Sequence, residues 1–132
     1  MILHSPAVLT KKVIPTTAEI IALVNAVSGF SGIICDPTNL ANLFQLSGGT
    51  TAVTAVTNPV GYCADLSGNG RNATQATAGN RPTYNRINEA RGLLFDGSND
   101  SLTYASTGVL TNKSSGTIIG AVRFSATGAL GR

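Results

Sequence analysis

Clusters of glycine, asparagine and aspartate interrupt the chain after residue 50 at intervals too short for a long helix. The two clearest clusters are residues 67–71 (SGNGR) and 96–100 (DGSND), whose residue types favour tight turns. Between the turns lie short β-prone runs, at residues 50–57, 60–66, 91–95, 101–105 and 116–125. Several short strands separated by turns predict an all-β fold, an antiparallel sandwich or barrel. We predict no helix after Ser28.

An aliphatic leader, residues 1–35, precedes this body. Residues 7–14 are rich in β-branched side chains and predict an extended segment that ends at Pro15. Thr16 and Glu19 then have the spacing of a capping box, and Gly29 is placed to end a helix over residues 17–28. Five aliphatic side chains share one face of this amphipathic helix: Ile20, Ile21, Leu23, Val24 and Val27. That face either covers the core of the domain or docks onto another subunit.

Charge and hydropathy argue against two classes of partner. The chain has 9 basic and 6 acidic residues, and the basic ones are scattered instead of forming the stripe that nucleic-acid readers use. No run approaches the roughly 20 apolar residues of a membrane-spanning helix. Pro15 and Glu19 interrupt the apolar run of the leader, which argues against a signal peptide. Cys35 and Cys63 can either form a disulfide or lie separately as buried residues.

Catalytic chemistry has little support in this sequence. The single histidine, His4, lies at the N-terminus, so the chain lacks a base for a Ser-His-Asp arrangement. Its 2 cysteines and 1 histidine are too few for the four ligands of a structural zinc site. Glycoside hydrolysis needs two carboxylates across a cleft. Asp96 and Asp100 instead fall within one turn, where such side chains bind their own backbone. We therefore expect no enzyme activity.

One loop imitates a metal site. Asp65, Ser67 and Asn69 have the spacing that begins a calcium loop. Ala76 stands where that loop needs its bidentate glutamate, so only a weak oxygen-ligand calcium site is left. Apart from this weak calcium candidate, the sequence predicts no metal and no cofactor.

Three tyrosines are candidates for contact with a sugar. Tyr62, Tyr84 and Tyr104 offer flat apolar faces that carry a polar group. A sugar ring can stack on such a face. Packing in the core or at its rim is the alternative role of these rings, and the chain has no tryptophan to strengthen a lectin-like site.

An ordered series of motifs runs through the body: LFQLSGGTTAVTAV, NPVGYCADL, SGNGRNATQAT, RPTY and LLFDGSNDSL. Over residues 36–124 this series resembles the first half of concanavalin A-like lectin/glucanase (laminin G-like) jelly-roll domains of bacteriophage structural proteins and bacterial surface proteins. The chain departs from the family at Cys63 and Ala64, where an aromatic residue often precedes the aspartate of the turn. It also has no E-x-D-x-x-E strand of the catalytic members.

The resemblance implies that residues 36–132 form a jelly-roll sandwich. It also implies that this domain has a binding or structural role and no catalytic activity. The pattern of the family continues through further strands, so we expect a longer polypeptide or neighbouring subunits to supply them. The resemblance implies a phage virion protein that is assembled in the bacterial cytoplasm, namely a tail, collar or head fibre subunit. Residues 1–35 would be its N-terminal attachment segment. Its expected partners are other virion subunits, further copies of itself and host-surface glycans. The alternatives are a secreted or surface carbohydrate-binding module and the first part of a polysaccharide depolymerase.

Overall fold

The computed structural model describes residues 15–27, 31–87, 89–104 and 120. These residues form a small β-rich fold of antiparallel strands with one short helix. The elements in chain order are α1 (Thr17–Asn25), β1 (Leu43–Phe44), β2 (Tyr62–Cys63), β3 (Ala73–Thr74), β4 (Thr83–Ile87) and β5 (Ala90–Leu94). Two 3-10 turns, Leu40–Asn42 and Ala78–Asn80, lie between them. The predicted extended segment 7–14 and the predicted strand 116–125 fall outside the described residues, apart from Gly120.

The predicted capping box begins α1. The Thr16 N–H donates to Glu19 Oε2 at 2.7 Å, and the Glu19 N–H donates to Thr16 Oγ1 at 3.2 Å. The helix is shorter than predicted and ends at Asn25. Its last turn tightens there, because the Val27 N–H donates to the Val24 carbonyl at 3.1 Å.

Strands β1, β2 and β3 form an antiparallel sheet in that order. The register places Leu43 opposite Cys63 and Cys63 opposite Ala73. Residues that face each other across antiparallel strands point to the same side of the sheet. All three side chains are buried, so this row is the inward face of the sheet.

Strands β4 and β5 form a hairpin with five residue pairs. The sequence predicted β5, as residues 91–95, but it did not predict β4, whose TYNRI run has only two β-branched residues. The pairing of Tyr84 with Leu93 turns that side of the hairpin toward the core. Arg86 and Arg91 are also paired, and Arg86 forms an ion pair with Glu89 at 2.6 Å.

The predicted strand over residues 50–57 is wrong. Ala52 makes a single bridge to Phe44, while Thr51 and Thr57 adopt positive φ angles of 62° and 70°. The side chain of Asn58 accepts backbone hydrogen bonds within this segment and holds it as a turn. The predicted strand 60–66 likewise shrinks to β2. In residues 101–105 the described part makes one bridge, from Thr103 to Thr74.

The core lies between the sheet and the hairpin. Its buried members are Leu43, Val53, Val60, Cys63, Ala73 and Tyr84, and Leu40, Leu93 and Leu102 pack against them from the rim. The Val60 N–H donates to the Pro82 carbonyl at 2.7 Å, which ties the approach to β2 to the approach to β4. None of the helices in the described ranges is long and apolar enough to span a bilayer.

Gly61 provides a test of this packing. A Cβ at this position would lie 2.6 Å from the Gln45 carbonyl oxygen and 2.9 Å from Arg81 Nε. Because the backbone oxygen cannot move aside cheaply, we expect Gly61→Ala to lower the free energy of unfolding by about 1–3 kcal/mol, measured by urea titration. The control is Gly48→Ala, whose Cβ would meet nothing within 4 Å. Equal stability of the two variants would contradict the packing.

Candidate functional site

The most highly connected group in the described chain is the Asp65 carboxylate. Its Oδ1 accepts hydrogen bonds from the N–H groups of Ile34 at 3.0 Å and Ser67 at 2.9 Å. Its Oδ2 accepts from the Ser67 hydroxyl at 2.8 Å and from the Arg71 N–H at 2.9 Å. Each oxygen therefore receives two donors. Together they hold the loop of residues 65–72 in one shape and join it to Ile34, 31 residues away in the chain.

A second acceptor strengthens the same connection. The Gly32 carbonyl accepts from Ser67 Oγ at 3.2 Å, Asn69 Nδ2 at 2.9 Å and Arg71 Nη1 at 3.3 Å. Arg71 Nη1 also donates to the Ser31 carbonyl. We call the loop 65–72 together with the segment 31–35 the clasp. The side chains of Ser67, Asn69 and Arg71 thus donate hydrogen bonds to the backbone of the segment 31–35 and hold it against the body.

Glycine gives the loop its shape. Gly68 and Gly70 both have positive φ angles, 82° and 70°, which side chains other than glycine rarely adopt. The turn that they allow brings Arg71 back toward Asp65. The Asn72 side chain closes the loop, since its Oδ1 accepts from the Asp65 N–H at 2.9 Å. The sequence therefore correctly predicted a turn at residues 67–71.

A disulfide completes the clasp. Cys35 and Cys63 are bonded, with their Cα atoms 6.3 Å apart, across a sequence separation of 28 residues. Cys63 lies in the buried row of the sheet, whereas Cys35 is exposed. Of the two roles that the sequence left open for these cysteines, the structure has the bonded one.

The environment of Asp65 favours its ionised form. Partial burial by itself would raise the pKa of Asp65. The hydrogen bonds from the N–H groups of Ile34, Ser67 and Arg71 outweigh it, so the pKa of Asp65 lies below its ordinary value of 3.8. The carboxylate is thus charged at neutral pH and holds its donors by charge-assisted hydrogen bonds.

The calcium candidates come together in this loop but serve the clasp. Asp65, Ser67 and Asn69 direct their polar atoms to one another's backbone and to Gly32. Among the residues that the structure describes, no group of three or more histidine, cysteine, aspartate or glutamate side chains could hold a metal ion. The polar atoms of these three residues take part in hydrogen bonds within the protein, and the weak calcium site stays a prediction.

The turn at residues 96–100 forms as predicted. Asp96 Oδ1 accepts from the N–H groups of Ser98 at 2.9 Å and Asn99 at 3.2 Å, and Asp100 Oδ2 accepts from the Asp96 N–H at 3.0 Å. The hydrogen bonds from Ser98 and Asn99 hold the pKa of Asp96 below its ordinary value. Both carboxylates therefore bind their own turn.

The three tyrosines have different surroundings. Tyr84 is only 4% exposed and belongs to the core, so a sugar cannot stack on it in this structure. Tyr62 is half-buried, with its ring edge-on to Phe44 at a centroid distance of 5.6 Å. Tyr104 is 42% exposed. Only Tyr62 and Tyr104 keep surface for a ligand.

The apolar face of α1 is divided. Ile21 and Val24 are half-buried, and Ile21 lines a groove together with Asp36, Asn42 and Leu66 of the body. The other three side chains of the face are exposed, by 44% at Ile20, 68% at Leu23 and 59% at Val27. Part of the face thus lies along the body, and part is left open.

No protein-family model, curated protein or solved structure matches this chain.

Asp65 gives the sharpest test of the clasp. In Asp65→Asn an amide nitrogen would face N–H or O–H donors at one of the two oxygen positions. We expect this substitution to destabilise the fold by about 2 kcal/mol or more at neutral pH, measured by urea unfolding. Glu89→Gln is the matched control, because it makes the same chemical change at an exposed ion pair, where little stability is at stake.

The effect of Asp65 should also depend on pH. The pKa of Asp65 is lower in the folded than in the unfolded chain. Its contribution to the free energy of unfolding is therefore complete above pH 3.8 and is lost as the pH falls through the folded-state pKa. The unfolding free energies of Asp65→Asn and the unaltered protein should therefore converge in acid. A difference that stayed constant however far the pH was lowered would contradict this account.

Proposed function

We propose that this chain is a non-enzymatic structural protein of a bacteriophage virion, a tail, collar or head fibre subunit attached through its N-terminal segment. In this proposal residues 36–132 belong to a concanavalin A-like jelly roll. The motif series over residues 36–124 supports that assignment, and so does the observed body of short antiparallel strands around one core.

The observation that carries the attachment role is the exposed part of the helix. Ile20 and Leu23 project large aliphatic side chains from α1, and Val27 projects another just after its end. The only charged residue of that helix, Glu19, is engaged in its capping box. An uncharged aliphatic strip on a helix typically marks a surface that another protein covers. The clasp holds residues 31–35, which come after this helix in the sequence, against the body.

Extracellular exposure of the mature protein has its own support. Disulfides persist on virions, on cell surfaces and in secreted proteins and are rare in the reducing cytosol. The Cys35–Cys63 bond is compatible with a virion surface that is oxidised after release from the host. It equally favours the second candidate function, a secreted or surface carbohydrate-binding module of a bacterium. Incorporation into particles distinguishes the two candidates.

We assign the contact with host glycans to Tyr62 and Tyr104. Both rings keep exposed surface, and each stacking face is worth on the order of 1 kcal/mol. Such a site binds weakly in one copy. Several copies on one particle would raise the effective affinity.

The attachment role predicts the behaviour of a helix variant. Replacing Ile20, Leu23 and Val27 together with Ser should abolish incorporation of the chain into particles, because each buried aliphatic side chain contributes about 1.5–3 kcal/mol to an interface. Mass spectrometry of purified particles is the measurement, and circular dichroism should still show a β-rich chain. Asn25→Ser, in the same helix, is the control. Normal incorporation of the triple variant would refute the attachment role.

The glycan role predicts a second set of effects. Tyr62→Leu and Tyr104→Leu should each weaken binding to a responsive glycan about 5-fold, since about 1 kcal/mol of stacking is lost. Tyr84→Phe should leave binding unchanged, because that ring is buried in the core. A glycan array followed by titration of the monomer measures both. Tight binding by the monomer, or full binding by the Tyr62→Leu/Tyr104→Leu double variant, would contradict this assignment.

A further inference from the structure

We propose that Cys35 is a thiol-modification site, the one sulfur at which a low-molecular-weight thiol of the glutathione class attacks the Cys35–Cys63 disulfide, and that this attack opens the clasp. Exchange at Cys35 depends only on the disulfide and its surroundings, whether the chain is a virion subunit or a secreted module.

The two ends of the disulfide differ in access. Cys63 has 0% of its surface exposed, and its cross-strand neighbours are Leu43 on β1 and Ala73 on β3, both buried. Cys35 is exposed, in the segment that leads into the body. Thiol–disulfide exchange requires a thiolate to reach one sulfur in line with the bond. Of the two residues only Cys35 is exposed, so we infer that the attack falls on its sulfur, since attack on Cys63 would require opening of the core.

The reaction balances with two equivalents of the thiol. The thiolate of the first forms a bond to Cys35 Sγ, and the disulfide breaks with its electron pair moving to Cys63 Sγ. This leaving sulfur takes up a proton, because a thiolate is disfavoured in apolar surroundings. A second thiol then attacks the mixed disulfide at the sulfur of the small molecule. Cys35 is released as a thiol, and the two small molecules leave as their own disulfide.

The structural consequence is also one-sided. Cys63 as a free thiol remains a small apolar residue of the core, a role that buried cysteines commonly have. Residues 31–35 lose their covalent link and are then held by the hydrogen bonds of the clasp alone, chiefly those to Asp65 and from Asn69 and Arg71. Removing a cross-link that closes a long loop shifts the equilibrium toward the open segment.

The site of attack can be read on the unaltered protein. The oxidised chain is incubated with reduced glutathione, quenched in acid, and digested for mass spectrometry. We expect the glutathione adduct on Cys35 and none on Cys63. An adduct found equally on both cysteines, or no adduct until denaturant is added, would overturn the proposal.

Two single variants measure the difference in access directly. In Cys63→Ala the exposed Cys35 is the only thiol, and in Cys35→Ser the buried Cys63 is the only thiol. With a chromogenic disulfide reagent, we expect Cys35→Ser to react about 100-fold more slowly than Cys63→Ala. Equal rates in folded protein would overturn the proposal, and the mapping experiment above does not depend on either variant folding.

Opening of the clasp has a separate readout. The Ile34 N–H donates to Asp65, whereas the Cys63 N–H lies within the β-sheet. After reduction of the unaltered chain, we expect hydrogen exchange at Ile34 to accelerate by about 10-fold or more while the peptide containing β2 stays protected. Unchanged exchange at Ile34 would refute the opening, and loss of protection throughout the chain would refute its confinement to the clasp.

Discussion

The Asp65 carboxylate connects the two parts of the chain that differ most in composition. A buried or half-buried carboxylate is stable only when its oxygens are satisfied, and here each oxygen accepts two hydrogen bonds. The donors come from both sides, Ile34 in the leader and Ser67 and Arg71 in the turn. This carboxylate therefore joins the turn to the leader segment, together with the Cys35–Cys63 disulfide and the hydrogen bonds to the Gly32 carbonyl.

The disulfide compensates for the small size of the core. The strands that surround the core are short, two residues each in β1, β2 and β3, so few ladder hydrogen bonds hold the sheet. Small domains with limited cores commonly use covalent cross-links for stability. Here Cys63 contributes twice, as a core side chain between Leu43 and Ala73 and as the end of the cross-link to Cys35.

The same organisation relates to the proposed role. Much of the apolar surface that the body does not bury lies at α1 and at the end of the hairpin, where Leu94 and Phe95 are 42% and 47% exposed. These patches lie on α1 and at the end of the β4–β5 hairpin, and not on the clasp. Exposed apolar patches commonly mark surfaces that other proteins cover, which is compatible with the proposed role of a structural subunit.

Local interactions made part of this protein readable from its sequence. The capping box of Thr16 with Glu19 and the glycine turn at residues 67–71 each depend on residues only a few positions apart, and both formed as predicted. The partner of Asp65 across 31 residues, the pairing of Cys35, and the burial of Tyr84 did not follow from spacing. Each is decided by which distant segments meet when the sheet and the hairpin close on one core. Local backbone preferences thus determined the turns and the helix. Only tertiary packing decided that Asp65 would accept from the Ile34 N–H and that Asn69 would donate to the Gly32 carbonyl, because these partners lie 31 and 37 residues apart in sequence.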